Sequence, residues 1–457
     1  MIALSLLLLF LGGFLLLSRI SVNFSLTERI GFGFPIGLAA VTFLMMLEDW
    51  ADIPLTGTNS VMLAVVVFVA ALAVNIPQRK KFLRSLAPKA DFSWFNLLWF
   101  LMLALLVWVE WHNFTKCMYF PTYDRDSMAG FDTIGYIAAQ EHTYKGMSIF
   151  AGDYMPKMHA PGSCISYLPM LQLSYAYVYS LGAETSKIIP GLFFIAFIIG
   201  FYGMAKRTMS HTAAMFATLC MVYTPEMISF SSLSATNVLQ AAMASTGLVY
   251  VCIWCANHKR EHLLLGVLLI AVNNWLRAEG IVFGAAAGLL VLIQCIRRKT
   301  YWISIVCPFL TLVPTIVFMI YSSSCGLTSE NALITRIFWD GEKAAVIANG
   351  AWELLKQSTY YGWVFQIMLL AILANAYYIY KKRDNLFVLL AFAVSLVLYF
   401  VVLYHVDYKW DSINNVLAYS AKRYMFCYVP IAWYYICNSC LAQRMFNWIE
   451  KTCGFKM

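Results

Sequence analysis

Long apolar runs recur along the whole chain and decide what it can fold into. Of its 457 residues, 61% are hydrophobic and only 12% are charged, whereas soluble domains carry about a quarter charged residues. A helical run of about 17–22 apolar residues matches the thickness of a lipid bilayer. The sequence therefore predicts an all-α polytopic membrane protein made of a single membrane domain, residues 1–457.

Thirteen segments are long and apolar enough to be predicted as crossings, and the pair 262–276 and 280–296 fits this length least well. The predicted crossings are residues 2–18, 30–47, 59–76, 93–110, 187–205, 212–227, 237–256, 262–276, 280–296, 301–321, 361–380, 385–404 and 424–441.

Lysine and arginine residues cluster in the short loops, which predicts the orientation because cytoplasmic loops are enriched in these residues. The segment 77–90 is strongly basic, and the segment 48–58 contains acids but no lysine or arginine. Every basic cluster falls on one side of the membrane only if 163–182 does not cross. We therefore predict that 163–182 forms a helix lying in the outer interface. The other basic clusters are 206–207, 258–260, 297–299, 381–383 and the C-terminal tail.

The same orientation places the longest loops outside, at 111–186, 322–360 and 405–423. An amphipathic helix is expected at roughly 343–357. The default location is a bacterial inner membrane with the functional face outward, and a protein of the endoplasmic reticulum would show the same pattern. The chain shows no repeat of 20–50 residues. Its predicted parts are the N-terminal helices 1–92, a core 93–297 and the C-terminal helices 298–457.

Residues 111–162 form the only long polar stretch in the first half of the chain. Carboxylates next to apolar helices are costly, so their concentration here indicates a functional site. The ionisable residues that we single out in this stretch are Asp124, Asp126, Asp132, Glu141, Asp153, Lys157 and His159.

Asp132 opens a stretch compatible with a helix, and Tyr136 follows one turn later. One interpretation is an N-cap, since the start of a helix stabilises an anion. The other is a catalytic base, because a carboxylate at the membrane surface is suited to take a proton from a hydroxyl group.

Asp124 and Asp126 form a DxD pair, for which we predict a catalytic role. Carboxylate oxygens at this spacing are also suited to hold a divalent cation, Mg²⁺ or Mn²⁺, against a phosphate. The competing interpretation is that Arg125 between them simply neutralises the loop.

Charged residues elsewhere also allow two interpretations each. Arg277 and Glu279 interrupt a hydrophobic hairpin, either as a structural ion pair or as part of a substrate cavity. Arg423 before the last crossing is either a phosphate ligand or an interfacial arginine. Lys157 and His159 either contact phosphate or only solvate their loop.

The order of these short motifs resembles the GT-C superfamily of membrane glycosyltransferases, closest to protein mannosyltransferase-like and lipid A aminoarabinose transferase-like members. Asp132 to Tyr136 is similar to the D/E-x-x-x-Y motif of the first outer loop. The segment 154–167 is similar to the lysine- and proline-containing turn that follows it, and Arg423-Tyr424 before Pro430 is similar to a C-terminal motif. Asn237 departs from the pattern, because the family usually has an acid there.

The resemblance covers roughly residues 93–440 and implies an activity. It implies an integral membrane glycosyltransferase that moves a sugar from a polyprenyl-phosphate-linked donor to a glycan, lipid or protein acceptor on the outer face. Asp132 would be the general base, with inversion at the sugar. The expected substrate contacts are Tyr136, Lys157, His159, Arg277, Glu279, Arg423 and Tyr424.

Two other activities remain open from the sequence. One is a polymerase or ligase of lipid-linked oligosaccharides, and the other is a transporter or flippase for lipid-linked glycans. A transporter is expected to carry its ionisable residues at mid-bilayer on broken helices, in two matching halves. Here the charges fall mainly in predicted outer loops. The net charge of +9 comes from the clustered basic loops and does not indicate a nucleic-acid partner.

Overall fold

The computed structural model describes residues 1–86, 96–150, 167–299, 302–327, 334–335, 338–407 and 412–453. Three of the ionisable residues singled out in the predicted outer loops lie outside these ranges. They are Asp153, Lys157 and His159.

The described residues of the first half of the chain fold mainly into helices. These are α1 (Ile2–Ile20), α2 (Leu26–Trp50), α3 (Gly57–Asn75), α4 (Arg79–Leu86), α5 (Leu97–Tyr119), α6 (Asp132–Glu141), α7 (Met170–Ser180), α8 (Ile188–Ala205), α9 (His211–Val222) and α10 (Pro225–Ser231).

The second half continues in the same way, with one pair of two-residue strands. The elements are α11 (Asn237–Asn257), α12 (Arg260–Leu276), α13 (Ile281–Arg298), α14 (Trp302–Ser324), β1 (Ile334–Thr335), α15 (Gly341–Lys356), α16 (Ser358–Tyr361), α17 (Val364–Ala374), α18 (Ala376–Lys382), α19 (Leu386–His405), β2 (Val406–Asp407), α20 (Ile413–Val416), α21 (Lys422–Tyr424), α22 (Tyr428–Asn438) and α23 (Cys440–Cys453).

Long apolar helices make the chain a multi-pass membrane protein. In the described ranges, nine helices are long and apolar enough to span a bilayer, and the number rises to 12 if each of three bent pairs counts as one span. The bent pairs are α9 with α10, α17 with α18, and the segment 413–438 with α23. The remaining predicted crossing is α12, which is a helix of 17 residues.

Contacts sort the helix ends into two groups, as alternating crossings require. At one end of the bundle, Asp49 in the last turn of α2 accepts hydrogen bonds from Thr143 (2.9 Å) and from Tyr321 of α14 (2.6 Å). At the opposite end, Glu28 in the first turn of the same helix pairs with Arg207 after α8. We call these the carboxylate end, which contains Asp49, Asp126 and Asp132, and the basic end, which contains the clusters 79–84, 206–207, 258–260 and 381–383.

Helix α7 occupies the segment predicted to lie in the interface. Tyr167, just before it, stacks on Phe131 at 5.8 Å, and Tyr179 in its last turn bonds to Asp132. Both ends of α7 therefore lie at the carboxylate end, which agrees with a helix that does not cross. Nine of its 11 residues are buried, because α2, α3, α6 and α12 pack against it. The sequence predicts a helix lying in the outer interface, and the structure adds that protein encloses this helix.

The expected amphipathic helix is α15, which is held at the carboxylate end by polar contacts. Asp340 caps its first turn by accepting from the backbone N–H of Lys343 (3.0 Å), and the Lys343 ammonium pairs with Asp407 (2.7 Å). Asp407 lies in β2, which pairs antiparallel with β1. This short pairing adds a β element to a fold that the sequence predicts as entirely helical.

Candidate functional site

Asp132 is the first residue of α6 and follows a π-helical turn, Ser127–Phe131. Its carboxylate oxygens accept one hydrogen bond each, from the hydroxyls of Tyr179 (2.7 Å) and Thr122 (2.9 Å). No side chain in the described part of the chain caps the start of α6, so the N-cap interpretation of Asp132 does not describe this structure. With respect to the described residues, each oxygen keeps a second lone pair, and the carboxylate is only half-buried.

Tyr179 positions the Asp132 carboxylate. Burial, reinforced by the negative charge of Asp132, raises the pKa of Tyr179 to about 12. The tyrosine hydroxyl therefore stays protonated and donates to the carboxylate near neutral pH. Tyr136, which is exposed, packs edge-on against the Tyr179 ring at 5.4 Å.

The carboxylates of the DxD pair have separate partners. Asp124 accepts from the backbone N–H and the hydroxyl of Ser127, both at 3.2 Å, and so stabilises the π-helical turn. Asp126 forms an ion pair with Arg423, which comes from the other end of the sequence. A cation held by the DxD pair, as the sequence allows, would have to replace this ion pair of Asp126 with Arg423. Within the described ranges, no three His, Cys, Asp or Glu residues come together as a metal site.

Arg277 and Glu279 form the ion pair that one sequence interpretation predicts. Arg277 is extended where α12 ends, and its guanidinium makes two bonds to the Glu279 carboxylate (2.7 and 3.0 Å). Its remaining terminal nitrogen donates to the side-chain oxygens of Asn237 (3.1 Å) and Thr236 (3.4 Å). Asn237, which departs from the family pattern, is thus a neutral acceptor for Arg277.

Aromatic rings join these pairs to Asp132. The Arg277 guanidinium lies 5.7 Å from the centre of the Tyr167 ring, and Tyr167 stacks on Phe131, the residue before Asp132. Electrostatic interactions also couple Asp126 to Arg277 and Arg423 to Glu279. We call this arrangement the polar cluster. It consists of Asp126, Asp132, Arg277, Glu279 and Arg423, all at the carboxylate end.

The other predicted substrate contacts have different surroundings. Tyr424 is buried and stacks on Tyr399 at 3.6 Å and on Phe283 at 5.7 Å, so its contacts hold the segment that carries Arg423. Lys157 and His159 lie outside the described residues.

Sequence reasoning missed three residues around Asp132. These are Thr122, Tyr179 and Lys187, whose buried ammonium donates to the backbone carbonyl of Phe120 and interacts with the Asp132 charge. Tyr179 lies 47 residues after Asp132. Only the fact that Lys187 is the first residue of the predicted crossing 187–205 would have singled any of them out.

Comparisons with known proteins identify no relative: no family model, no curated protein and no solved structure matches the chain. The resemblance to GT-C enzymes therefore rests on the short motifs, and a function must be argued from the residues themselves.

Proposed function

We propose that this chain is an integral membrane glycosyltransferase that takes a sugar from a lipid-phosphate-linked donor, with a polyprenyl phosphate as the lipid. The observation that carries the proposal is the polar cluster. Three carboxylates and two guanidinium groups from three separate segments of the chain meet at one end of a bundle of membrane helices. Such a site lies where the headgroup of a membrane lipid is presented.

Asp132 is the proposed general base. In the reaction the hydroxyl of the acceptor attacks the anomeric carbon, the bond from that carbon to the phosphate oxygen breaks, and lipid phosphate leaves with the bonding electrons. The proton of the hydroxyl passes to a carboxylate. Among the described residues, Asp126 and Glu279 are paired with guanidinium groups, whereas the hydrogen-bond partners of Asp132 are two neutral hydroxyls. This difference favours Asp132 as the proton acceptor.

Arg423 is the proposed ligand of the leaving phosphate. Its hydrogen bonds in the described structure go to Asp126 and to the backbone carbonyl of Tyr419, which leaves one terminal nitrogen of the guanidinium for a phosphate oxygen. Arg277, by contrast, is fully engaged by Glu279, Asn237 and Thr236. A guanidinium stabilises the negative charge that develops on the leaving group. No step requires a metal ion.

The orientation supports a site on the outer face. The basic clusters lie at the end of the bundle opposite to the polar cluster, and the cytoplasmic side is the one that carries lysine and arginine. The proposed acceptor is a glycan, lipid or protein on that outer face, and a bacterial inner membrane is the proposed location.

Transfer by the purified protein tests this proposal. A panel of polyprenyl-phospho-sugars is incubated with a crude extract of envelope glycans, lipids and proteins, and release of polyprenyl phosphate is measured. We expect Asp132→Asn to lower turnover by at least about a hundredfold, which is typical for loss of a general base. Glu353→Gln, on the exposed face of α15, is the matched control and is expected to keep wild-type turnover.

Three outcomes of this experiment would count against the proposal. Unchanged turnover in Asp132→Asn would remove this residue from the mechanism. Loss of turnover with a chelator would mean that a cation is required after all. Movement of the lipid-linked sugar across vesicles, without release of polyprenyl phosphate, would favour a flippase.

A further inference from the structure

Four buried amide side chains lie next to Arg277 and Glu279. Asn237 and Gln240 are on the first turn of α11, and Asn273 and Asn274 are on the last turn of α12. None of the four is more than 3% exposed. They play no part in the proton transfer or phosphate binding proposed above.

Each of these amides has at least one side-chain atom without a hydrogen-bond partner in the described structure. For Asn237 and Gln240 it is the amide nitrogen, for Asn274 the oxygen, and for Asn273 both atoms. Leaving buried polar atoms unpaired is costly, so native proteins provide partners for nearly all of them. Four such residues in neighbouring turns indicate a site whose partners come from a bound molecule.

Contacts show that the amides converge on one place. Asn237 accepts from Arg277, and the backbone carbonyl of Asn273 accepts from the Arg277 N–H (3.0 Å). A Cβ atom added to Gly280 would lie 2.9 Å from the amide nitrogen of Asn273 and 2.3 Å from the amide oxygen of Asn274. Three of the amides therefore lie against the turn 277–280.

The packing of α11 on α12 brings in the fourth amide. A Cβ atom on Gly247 would lie 2.7 Å from the side chain of Ile270 and 3.0 Å from the carbonyl of Gly266, so the two helices are in close contact there. Because they run antiparallel, Gln240, two turns earlier on α11, lies level with the last turn of α12.

The chemistry of the unpaired atoms specifies the ligand. Amide nitrogens only donate and amide oxygens only accept, and neither carries charge. An anion would find no free cation and a metal ion no free carboxylate, since Arg277 and Glu279, the charged residues beside the amides, are paired with each other. Neighbouring hydroxyls on a sugar ring both donate and accept, so they match a mixed set of neutral donors and acceptors.

We infer that Asn237, Gln240, Asn273 and Asn274 form a recognition pocket for the hydroxyl groups of the transferred sugar, an inference that rests on the proposed function. In this arrangement Asp132 takes the proton of the acceptor hydroxyl, Arg423 binds the leaving phosphate, and the amides bind the sugar that is transferred. The pocket determines specificity and takes no part in proton transfer.

Binding measurements separate the pocket from the rest of the site. The probes are farnesyl phosphate, bare and carrying glucose, mannose or arabinose, and the protein is the full chain in detergent. We expect wild type to bind at least one sugar-bearing lipid about tenfold to a hundredfold more tightly than the bare lipid, as several hydrogen bonds to the ring would give. Asn273→Leu, which keeps a similar volume, is expected to abolish this preference and to bind bare farnesyl phosphate as wild type does.

The matched control is Gln294→Leu. Gln294 is also a buried amide, but it lies near the basic end of α13 and donates to the carbonyl of Cys255 at 2.7 Å. This variant is expected to keep the preference for the sugar. Gln240→Leu serves as a second pocket variant if Asn273→Leu does not fold.

The outcomes distinguish the two proposals. If wild type binds bare and sugar-bearing lipids equally while the transfer assay is positive, the pocket is overturned and the glycosyltransferase stands. If the preference survives in both pocket variants, the amides bind only structural water and the inference is wrong. If no lipid binds and no transfer occurs, the proposed function itself fails.

Discussion

Among single residues, the charges of the polar cluster largely compensate one another. Arg277 balances Glu279, and Arg423 balances Asp126. Ion pairs of this kind lower the cost of holding charge beside a membrane. Asp132 differs, because hydroxyl groups rather than cations hold it. Charge compensation therefore does not explain Asp132, and Asp132 is the residue proposed as the general base.

Replacing Arg423 by lysine tests the phosphate contact. Lysine keeps the charge but has no planar guanidinium, so it cannot contact Asp126 and the Tyr419 carbonyl and offer a third nitrogen to the phosphate at the same time. We expect KM for the lipid-linked donor to rise about tenfold, with a smaller change in kcat. Steady-state kinetics with varied donor concentration measure both values.

The control for this substitution is Arg444→Lys, at an exposed arginine of α23 that donates to the Tyr378 hydroxyl at the basic end. It is expected to leave KM unchanged. An unaltered KM in Arg423→Lys as well would place the phosphate elsewhere in the protein.

Among the elements, the contact between α6 and α7 positions the proposed base. The two helices approach so closely that a Cβ atom on Gly135 would lie 2.4 Å from the Cβ atom of Tyr175. Small residues allow this kind of approach between helices in membranes. The same contact keeps Tyr179 of α7 within hydrogen-bond distance of Asp132 on α6.

Gly135→Ala is expected to push α6 away from α7. Overpacking of this kind costs about 1–3 kcal/mol, so the melting temperature should fall, and turnover should fall with it because the Asp132–Tyr179 bond is disturbed. Thermal unfolding in detergent, followed by tryptophan fluorescence, measures the first effect.

Gly341→Ala provides the comparison, since the nearest heavy atom to a Cβ there is 3.7 Å away. It should not lower the melting temperature. If Gly135→Ala were equally well tolerated, the two helices would have to pack more loosely than described.

At the scale of the whole molecule, the positions of the charged residues give the helix bundle a carboxylate end and a basic end. The ion pair of Glu28 with Arg207 ties the basic end together, and Asp49 ties α2, α14 and the loop after α6 together at the carboxylate end. Placing the basic end in the cytoplasm puts the polar cluster on the outer face.

Cysteine labelling tests this placement. Lys80→Cys and Glu353→Cys put a thiol at an exposed position of the basic end and of α15, respectively, in a background whose accessible native cysteines are replaced by serine. With a membrane-impermeant maleimide on intact cells, we expect Cys at position 353 to react and Cys at position 80 to react only after permeabilisation. Labelling of both positions from the same face would contradict the proposed orientation.

The sequence by itself determined the features that depend on a single window of residues. Apolar length predicted the membrane helices, basic loops predicted the two kinds of end, and amphipathic periodicity predicted α15. The Arg277–Glu279 pair was also within reach, since its members are only two residues apart. These features are local, because hydropathy and helical period are properties of neighbouring residues.

Only the tertiary structure decided which distant residues meet. Asp126 pairs with Arg423, which lies 297 residues later in the sequence, and Asn237 accepts a hydrogen bond from Arg277, 40 residues later. It also enclosed α7 in protein and gave Asp132 its two hydroxyl partners. These contacts depend on the order in which the helices pack, and one-dimensional patterning does not encode that order, because many arrangements bury the same apolar faces equally well.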